Sequence, residues 1–451
     1  MPAKGKGWHF GVLSFTGTGH LNPLLLLAQQ LKDRGHKVTF FEKPKIEGRV
    51  RDAGLEFFPI EGNRFGFTGK RPIAEKTSLW SELTTLRFNL KRIKHDLKIY
   101  LQGTPSALRQ TGVDALLINE IALTGPTVAQ MLGLPYFIIS TSVPHNFGWN
   151  CFSRFSGYRF STSWLSGVQR ALLEVSALRI HGPIRRALDQ YRSELGLGPV
   201  REAAQLFPAL AQITQLPKCL DFPGTKTPSN FYYTGPFVNR AVRPYVDFPW
   251  DRLDGRPIIY ASLGTTRNVQ PAVFRFIAEA CQDLDLQLVI SLGGRLDPDI
   301  QVDLPGDPLV VRYAPQLDLL KLATIVITHG GPNTVFETLM EGKPMVAIPI
   351  AHDQPAVSAR LAQLRLAEVL PVMRISAERI RTAVTKVLND PSYRDAAVKM
   401  QTKLQSLRGL DRAVEVIEEA LEKYGASAQS GVLPDHDCEP DHSLPVSFAP
   451  R

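Results

Sequence analysis

The sequence has 451 residues, of which 44% are hydrophobic, and its formal net charge at pH 7 is +9. Its length favours two domains with large cores, and four scattered cysteines favour a reducing cytoplasm over a disulfide-rich protein. No segment has the roughly 18 consecutive apolar residues of a membrane-spanning helix, and the N terminus lacks the apolar core of a signal peptide. Because no nucleic-acid-binding motif accompanies the positive charge, we expect an anionic ligand or an acidic membrane surface rather than nucleic acid.

The first half of the chain alternates predicted strands and helices. Strands are predicted at 9–15, 37–41, 114–119 and 136–140, and helices at 21–34 and 125–132. Such alternation indicates a parallel, doubly wound α/β sheet, to which we assign residues 1–238.

The turn that follows the first predicted strand carries a candidate catalytic histidine. Its sequence, GTGHLNP, places Gly19 and His20 at the edge of the sheet where ligands bind. A histidine suits general-base catalysis because its ordinary pKa lies near working pH. The alternative is a histidine that only packs against or caps the following helix.

Prolines and glycines cluster at residues 239–256, which we interpret as a linker between two domains. A second set of strands begins at residues 258–263, so we assign residues 257–412 to a second α/β domain. A last helix is predicted at 413–424, and the Pro-rich segment 425–451 is predicted to be disordered. His436, Cys438 and His442 in that segment lack a fourth spaced ligand, so we expect no metal site.

The segment from Arg312 to Gln354 has the features of a nucleotide-sugar site. An apolar strand is followed by His329-Gly330-Gly331 and by a helix that Pro332 opens. The free N–H groups of the first helical turn, with Asn333 and Thr334, form an anion site suited to phosphates. Glu337 lies one turn further, within reach of a ribose, and a second strand delivers Asp353-Gln354, which suit sugar hydroxyls.

This segment resembles the donor-binding signature of the family-1 glycosyltransferases, the UDP-glycosyltransferases. The residues in register are Tyr313, Gln316, His329, Gly331, Asn333, Thr334, Glu337, Asp353 and Gln354. The resemblance implies a GT-B fold, in which two Rossmann-like domains face a cleft, with donor on the C-terminal and acceptor on the N-terminal domain. It also implies that the last helix returns to the N-terminal domain and that no cofactor is needed beyond the nucleotide-sugar co-substrate. The chain looks most like bacterial enzymes related to zeaxanthin glucosyltransferases.

The same resemblance assigns further site residues. It makes His20 the general base of an inverting transfer and places Gly19 on the donor side. The loop with Ser262, Gly264 and Thr265 resembles the family's loop beside the diphosphate. Tyr313 takes the position of an aromatic residue that stacks on uracil, so we expect a UDP-sugar, with a thymidine donor as the alternative. Asp353-Gln354 follows the pattern of glucose donors.

One position departs from the family pattern. An Asp that partners the catalytic histidine is replaced by Asn119, and Glu120 is the next residue. Asn can orient an imidazole but cannot offset the charge of an imidazolium. Two hypotheses remain open: Glu120 partners His20, or Asn119 orients it in an enzyme with a weaker base.

The acceptor region is rich in aromatic residues and predicts an apolar acceptor such as a carotenoid, sterol, polyketide or phenol. These residues are Phe65, Phe67, Trp80, Phe88, Phe147, Trp149, Phe152, Phe155, Tyr158 and Trp164. A basic amphipathic helix with Lys91, Lys94 and Lys98 is a candidate for peripheral membrane contact, the alternative being a solvated helix face.

Three other functions fit parts of the sequence. A UDP-sugar epimerase shares the two-domain fold, a retaining GT-B enzyme would not depend on His20, and Asn119 is compatible with an inactive binding protein.

Overall fold

The computed structural model describes residues 7–60, 79–144, 185–199, 209–223, 225, 227–264, 271–294 and 304–430. Within these ranges, the side chains of 79–90, 92, 93 and 427–430 are outside the description. The chain forms two parallel sheets, each flanked by helices, which confirms the predicted pair of doubly wound α/β units.

The N-terminal sheet has seven strands in the order β3-β2-β1-β4-β5-β6-β7, and every pairing is parallel. Its strands are β1 (His9–Leu13), β2 (Lys37–Glu42), β3 (Glu56–Pro59), β4 (Ala115–Asn119), β5 (Tyr136–Ser140), β6 (Ala211–Thr214) and β7 (Phe231–Tyr233). The helices are α1 (Thr18–Asp33), α2 (Glu47–Asp52), α3 (Leu79–Thr111) and α4 (Gly125–Leu132), and residues 185–194 are also helical. Strand order reverses between β1 and β4, so the loops after these two strands border a crevice where ligands bind.

The C-terminal sheet has six parallel strands in the order β10-β9-β8-β11-β12-β13. Its strands are β8 (Ile258–Ser262), β9 (Gln287–Ser291), β10 (Leu309–Val311), β11 (Ala323–Thr328), β12 (Met345–Ala347) and β13 (Ala367–Val369). The helices are α5 (Pro271–Cys281), α6 (Gln316–Leu322), α7 (Pro332–Met340), α8 (Gln354–Gln363), α9 (Ala377–Asn389) and α10 (Pro391–Gln405). Short 3₁₀ helices lie at Pro44–Ile46, Lys218–Leu220, Trp250–Arg252 and Val372–Arg374. This sheet reverses between β8 and β11, so the loops after those strands border its crevice.

The last helix, α11 (Gly409–Ser430), leaves the C-terminal sheet and packs on α1 of the N-terminal unit. Its buried side chains Val414 and Ile417 share one apolar cluster with Leu24 and Leu31 of α1. The sequence predicts disorder from residue 425, whereas the helix continues to Ser430, because Ala and Gln in this stretch are compatible with a helix.

None of the helices in the described part of the chain is both long and apolar enough to cross a bilayer.

Candidate active site

His20 lies in the first turn of α1, beside the reversal point of the N-terminal sheet. The helix begins at Thr18, earlier than the sequence predicts, so His20 belongs to the helix and not to the preceding turn. Pro23 therefore lies inside the helix, where its missing N–H leaves the carbonyl of Gly19 without the usual donor four residues ahead. A side chain from the other domain takes that carbonyl: Asn333 Nδ2 donates to Gly19 O at 2.5 Å.

The imidazole of His20 is oriented by a hydroxyl that the sequence analysis did not identify. Nδ1 of His20 lies 2.7 Å from Oγ1 of Thr141, which follows β5 and is 2% exposed. Asn119, at the end of β4, donates from Nδ2 to the same oxygen at 3.0 Å, while its Oδ1 accepts from the backbone N–H of Ile121. The two partners of the amide determine which of its ends faces Thr141. Asn119 thus acts on His20 through Thr141.

Glu120 is buried beside this chain of contacts, with 5% of its surface exposed, and its backbone N–H donates to Ile139 O. The contacts of Thr141 establish a route from Asn119 to the imidazole. The role of Glu120 as the partner of His20 stays a prediction.

A second buried amide connects the histidine with the donor motif. Gln215 follows β6 and is fully buried. Its Nε2 lies 2.5 Å from the carbonyl oxygen of Thr141 and 2.8 Å from Oδ1 of Asn333, and its Oε1 accepts from Phe237 N at 3.2 Å. Both ends of the Asn333 amide are therefore in use between the two sheets, next to the position predicted for the phosphates.

The imidazole of His329 packs against two glycines, Gly331 in the turn before α7 and Gly264 in the loop after β8. A Cβ added at Gly331 would lie 2.5 Å from His329 Nε2, and one added at Gly264, where φ is +82°, would lie 2.7 Å from it. Both positions need glycine because the imidazole occupies the space of a side chain. Burial lowers the pKa of His329 to about 4, so the ring is neutral at neutral pH. Its Nδ1 is buried and has no hydrogen-bond partner among the described residues.

Glu337 lies one turn into α7 and is 2% exposed. Its Oε2 accepts from Gln316 Nε2 at 2.5 Å, and its Oε1 accepts from Nη2 of Arg243. Tyr260 donates to Gln316 Oε1 at 3.2 Å, and burial raises the pKa of this tyrosine to about 12. Glu337, which is predicted to bind the ribose, is thus in direct contact with Gln316, another residue of the predicted signature.

Tyr313 follows β10 and is 49% exposed, as a platform for a base requires. Its phenol ring lies against Gly294, where an added Cβ would be 1.8 Å from the hydroxyl oxygen. Gly294 has a φ of +76°, a backbone conformation that favours glycine. Glycine is therefore required at this position both by its backbone and by the neighbouring ring.

Asp353 and Gln354 lie at the start of α8, and both are nearly buried. Gln354 Oε1 accepts from the N–H groups of Ile350 and Ala351, each at 2.9 Å, which leaves the donor end of this amide for another group. His352, directly before Asp353, has a φ of +60°, a strained value for a residue with a side chain. Such strain is often held at functional loops because surrounding contacts enforce it.

Several predicted site residues cannot be placed. Thr265 lies outside the described residues, although Ser262 and Gly264 of the same loop border His329. The aromatic residues predicted for the acceptor region also lie outside the described residues or, for Trp80 and Phe88, have side chains outside the description, as do His436, Cys438 and His442.

Three residues of the site escaped the sequence analysis: Thr141, Gln215 and Arg243. Thr141 and Gln215 each follow a buried parallel strand directly, so a search for polar residues at strand ends could have found them. Arg243 lies in an irregular segment and carries no comparable signal in the sequence.

Comparisons with known proteins identify the family to which the chain is similar. The family model described as UDP-glucoronosyl and UDP-glucosyl transferase matches residues 102–431, and the glycosyltransferase family 28 N-terminal domain matches residues 12–143. Zeaxanthin glucosyltransferase from Pantoea ananas is 27% identical over 425 residues, covering 92% of this chain and 96% of that protein.

Solved structures extend the comparison to the fold. The glycotransferase of kitacinnamycin superposes with a TM-score of 0.71 at 24% identity, covering 93% of this chain and all of that one. Glycosyltransferase VinC in complex with DTDP gives a TM-score of 0.64 at 20% identity over 92% of this chain and all of its own. These structures show the same fold, which confirms the predicted GT-B arrangement.

Proposed function

The chain belongs to the UDP-glucoronosyl and UDP-glucosyl transferase family, and we propose that it transfers glucose from UDP-glucose to a hydroxyl of an apolar small molecule with inversion. It is a glycosyltransferase; the sugar, the acceptor class and the stereochemistry are the proposed part. The observation that carries the proposal is the Gly19–Asn333 hydrogen bond, which joins the helical turn of the candidate base to the N terminus of the donor helix.

In the proposed reaction His20 is the general base. With Nδ1 directed at Thr141, the imidazole would accept the proton of the acceptor hydroxyl at Nε2. The hydroxyl oxygen attacks the anomeric carbon as the bond from that carbon to the diphosphate oxygen breaks, so the configuration inverts and the nucleoside diphosphate leaves. The hydroxyl oxygen of Thr141 can accept a hydrogen bond from Nδ1–H of His20. This bond selects the tautomer in which Nε2 carries the lone pair.

The donor side of the proposal follows the first turns of α7 and α8. Backbone N–H groups at the start of α7, with Thr334 and the N–H of the Asn333 amide that does not bind Gly19, would hold the diphosphate. Glu337 would accept from the ribose hydroxyls, Tyr313 would stack on the base, and Asp353 with Gln354 would hydrogen-bond the sugar.

The acceptor is proposed from composition and from relatives. The predicted acceptor region is aromatic, and the Pantoea relative is named for a carotenoid acceptor. A thymidine diphosphate sugar is the alternative donor, because Tyr313 can stack on either pyrimidine and a structural neighbour is in complex with DTDP.

We also propose that the protein works in the cytoplasm and touches membranes through α3. Lys91, Lys94 and Lys98 of this helix are exposed, which suits an anionic surface. Co-sedimentation with anionic and neutral vesicles tests it: binding to neither would contradict this contact.

The central experiment compares wild type with His20→Ala on UDP-sugars and a panel of apolar alcohols and phenols, with products identified by mass spectrometry. We expect the variant to lose at least about 10²-fold in kcat while its affinity for UDP stays nearly unchanged. NMR of the product should show a β-glycoside. Turnover near wild type in the variant, or an α-glycoside, would contradict the proposed mechanism.

A further inference from the structure

The carboxylate of Glu337 is held by a residue from outside the donor motif. It is nearly inaccessible to water, and a buried carboxylate is stable only when a positive charge and hydrogen bonds compensate it. Arg243 supplies the charge at Oε1, and Gln316 supplies a neutral hydrogen bond at Oε2. Arg243 therefore compensates the carboxylate charge of Glu337 and fixes the position of its Oε1.

Arg243 reaches Glu337 from the segment that connects the two sheets. Its backbone N–H donates to Arg240 O at 2.9 Å, and the preceding residue, Val242, is buried in the apolar cluster of the N-terminal unit together with Phe237. Glu337 belongs to α7 of the C-terminal unit. The ion pair thus connects the N-terminal core with the donor helix.

The ion pair leaves hydrogen-bond acceptor capacity on the carboxylate of Glu337. Arg243 contacts Glu337 through Nη2, while its Nε is buried without a hydrogen-bond partner among the described residues. The two side chains therefore do not form a bidentate pair. An ionised carboxylate has about four acceptor positions, of which Arg243 and Gln316 occupy two. Two hydroxyls of a ribose could take the others without displacing the guanidinium.

The surroundings favour an anionic ligand. Arg49 donates to Asn22 Oδ1, and burial together with the nearby charge of Arg243 lowers the pKa of Arg49. The charges of Arg243 and Arg49 are therefore close enough to interact, and this positive charge beside the donor helix suits a nucleoside diphosphate.

We propose that Arg243 is a positioning residue of the donor site: its ion pair orients Glu337 as the acceptor for both ribose hydroxyls and so sets the specificity for ribose. The inference rests on the proposed donor-binding role of Glu337. It implies that Arg243 helps the enzyme to distinguish ribose from 2-deoxyribose in the donor nucleotide.

The test measures the dissociation constants of UDP and 2′-deoxy-UDP by calorimetry for wild type, Arg243→Met and Arg240→Met. Arg240→Met is the matched control, since Arg240 lies on the same segment and its guanidinium pairs with Asp318 of α6 instead of Glu337. Wild type should prefer UDP. In Arg243→Met we expect UDP to bind about 10-fold more weakly and 2′-deoxy-UDP to change less, so that the preference shrinks. Arg240→Met should keep both affinities and their ratio.

If Arg243 had only a structural role, Arg243→Met would weaken the binding of both nucleotides equally. That result would overturn the inference, and so would an unchanged preference for UDP. If Arg243→Met does not fold, Arg243→Lys and the Glu337→Gln background provide the test. The charge-preserving Lys variant should keep most of the preference, and Glu337→Gln should abolish it on its own. A wild type that binds both nucleotides equally overturns this inference alone, whereas one that binds neither contradicts the proposed function.

Discussion

At the scale of single residues, the contact between His20 and Thr141 changes how the missing family Asp is understood. Asn119 does not need to reach the imidazole, because Thr141 lies between the two and hydrogen-bonds both. An amide donor directed at the hydroxyl can fix its position but brings no negative charge to a protonated imidazole. For the proposed base His20, this route therefore supplies orientation without a compensating charge.

Thr141→Val removes this orienting hydroxyl at nearly constant volume. We expect kcat to fall about 10-fold, because one hydrogen bond of about 1–1.5 kcal/mol no longer selects the useful tautomer. Ser140→Ala is the matched control, since Ser140 is equally buried and its hydroxyl has no partner among the described residues. An equal loss in both variants would show that packing, and not orientation, explains the effect.

Asn119→Asp should act in the opposite direction. A carboxylate would accept from the Thr141 hydroxyl, which in turn can accept from Nδ1–H of His20, so negative charge would stabilise the imidazolium. We expect kcat to rise, whereas Glu120→Gln should leave it unchanged if Thr141 is the operative partner. A loss of about 10–150-fold in Glu120→Gln would instead support the prediction that Glu120 is the partner.

At the scale of elements, α7 and the start of α8 present different carboxylates to the proposed donor site. Glu337 of α7 is tied to Gln316 and Arg243, all at the proposed ribose end. Asp353 directly precedes α8 and makes no capping hydrogen bond with its side chain. This division predicts that the two carboxylates recognise separate parts of the nucleotide sugar.

Substitution of each carboxylate tests the division. Glu337→Ala should weaken the binding of UDP itself by about 10–150-fold, because hydrogen bonds to a charged group are lost. Asp353→Ala should leave UDP binding intact but weaken UDP-glucose or lower its turnover. Calorimetry with UDP and kinetics with UDP-glucose measure the two effects, and equal effects of both variants on UDP would refute the division.

The last helix shows which contacts stabilise an element that returns to the other domain. Glu418 pairs with Arg34 at 2.8 Å on the surface, and exposed pairs contribute about 0–1 kcal/mol. Ile417 is completely buried against the N-terminal core. Its truncation to Ala should reduce the free energy of unfolding by about 2–4 kcal/mol.

We therefore expect Ile417→Ala to lower the unfolding midpoint clearly more than Glu418→Ala, as measured by urea denaturation at low and high salt. Only the Glu418 effect should shrink with salt, because screening weakens surface charges. A larger effect of Glu418→Ala would mean that charge, and not apolar burial, holds α11 in place.

At the scale of the whole molecule, a single helix-breaking residue shapes the contact between the domains. Because Pro23 has no N–H, the carbonyl oxygen of Gly19 remains available, and Asn333 Nδ2 donates a hydrogen bond to it across the cleft. In Pro23→Ala the new N–H of residue 23 would compete for that carbonyl. The effect of Asn333→Ala on the free energy of unfolding should therefore be smaller in the Pro23→Ala background than in wild type.

A double-mutant cycle measures this coupling, for which we expect about 0.5–1.5 kcal/mol. Thr334→Ala replaces Asn333→Ala in the control cycle, because Thr334 is its neighbour in the same turn, and it should show no coupling to Pro23. Complete additivity of Pro23→Ala and Asn333→Ala would contradict the competition.

The strand, turn and helix that carry the proposed donor motif could be predicted from sequence because they are local. The strand, the glycine turn and the first turn of α7 are contiguous, and the apolar pattern and Pro332 determine them within about a dozen residues. The two parallel sheets followed from the same kind of alternation. The position of His20 after β1 was predicted correctly, but its place inside α1 was not, because Pro23 suggested a later helix start.

Only the tertiary structure decided the partners of these residues. Thr141 lies 121 positions from His20, Gln215 lies 118 from Asn333, and Arg243 lies 94 from Glu337. Strand order brings Thr141 to His20, and the packing of one domain on the other brings Gln215 and Arg243 to α7. Propensity and periodicity act over one turn or one strand, so they determine which side chains reach the sheet edge. Which of those side chains meet depends on long-range packing, which no local pattern encodes.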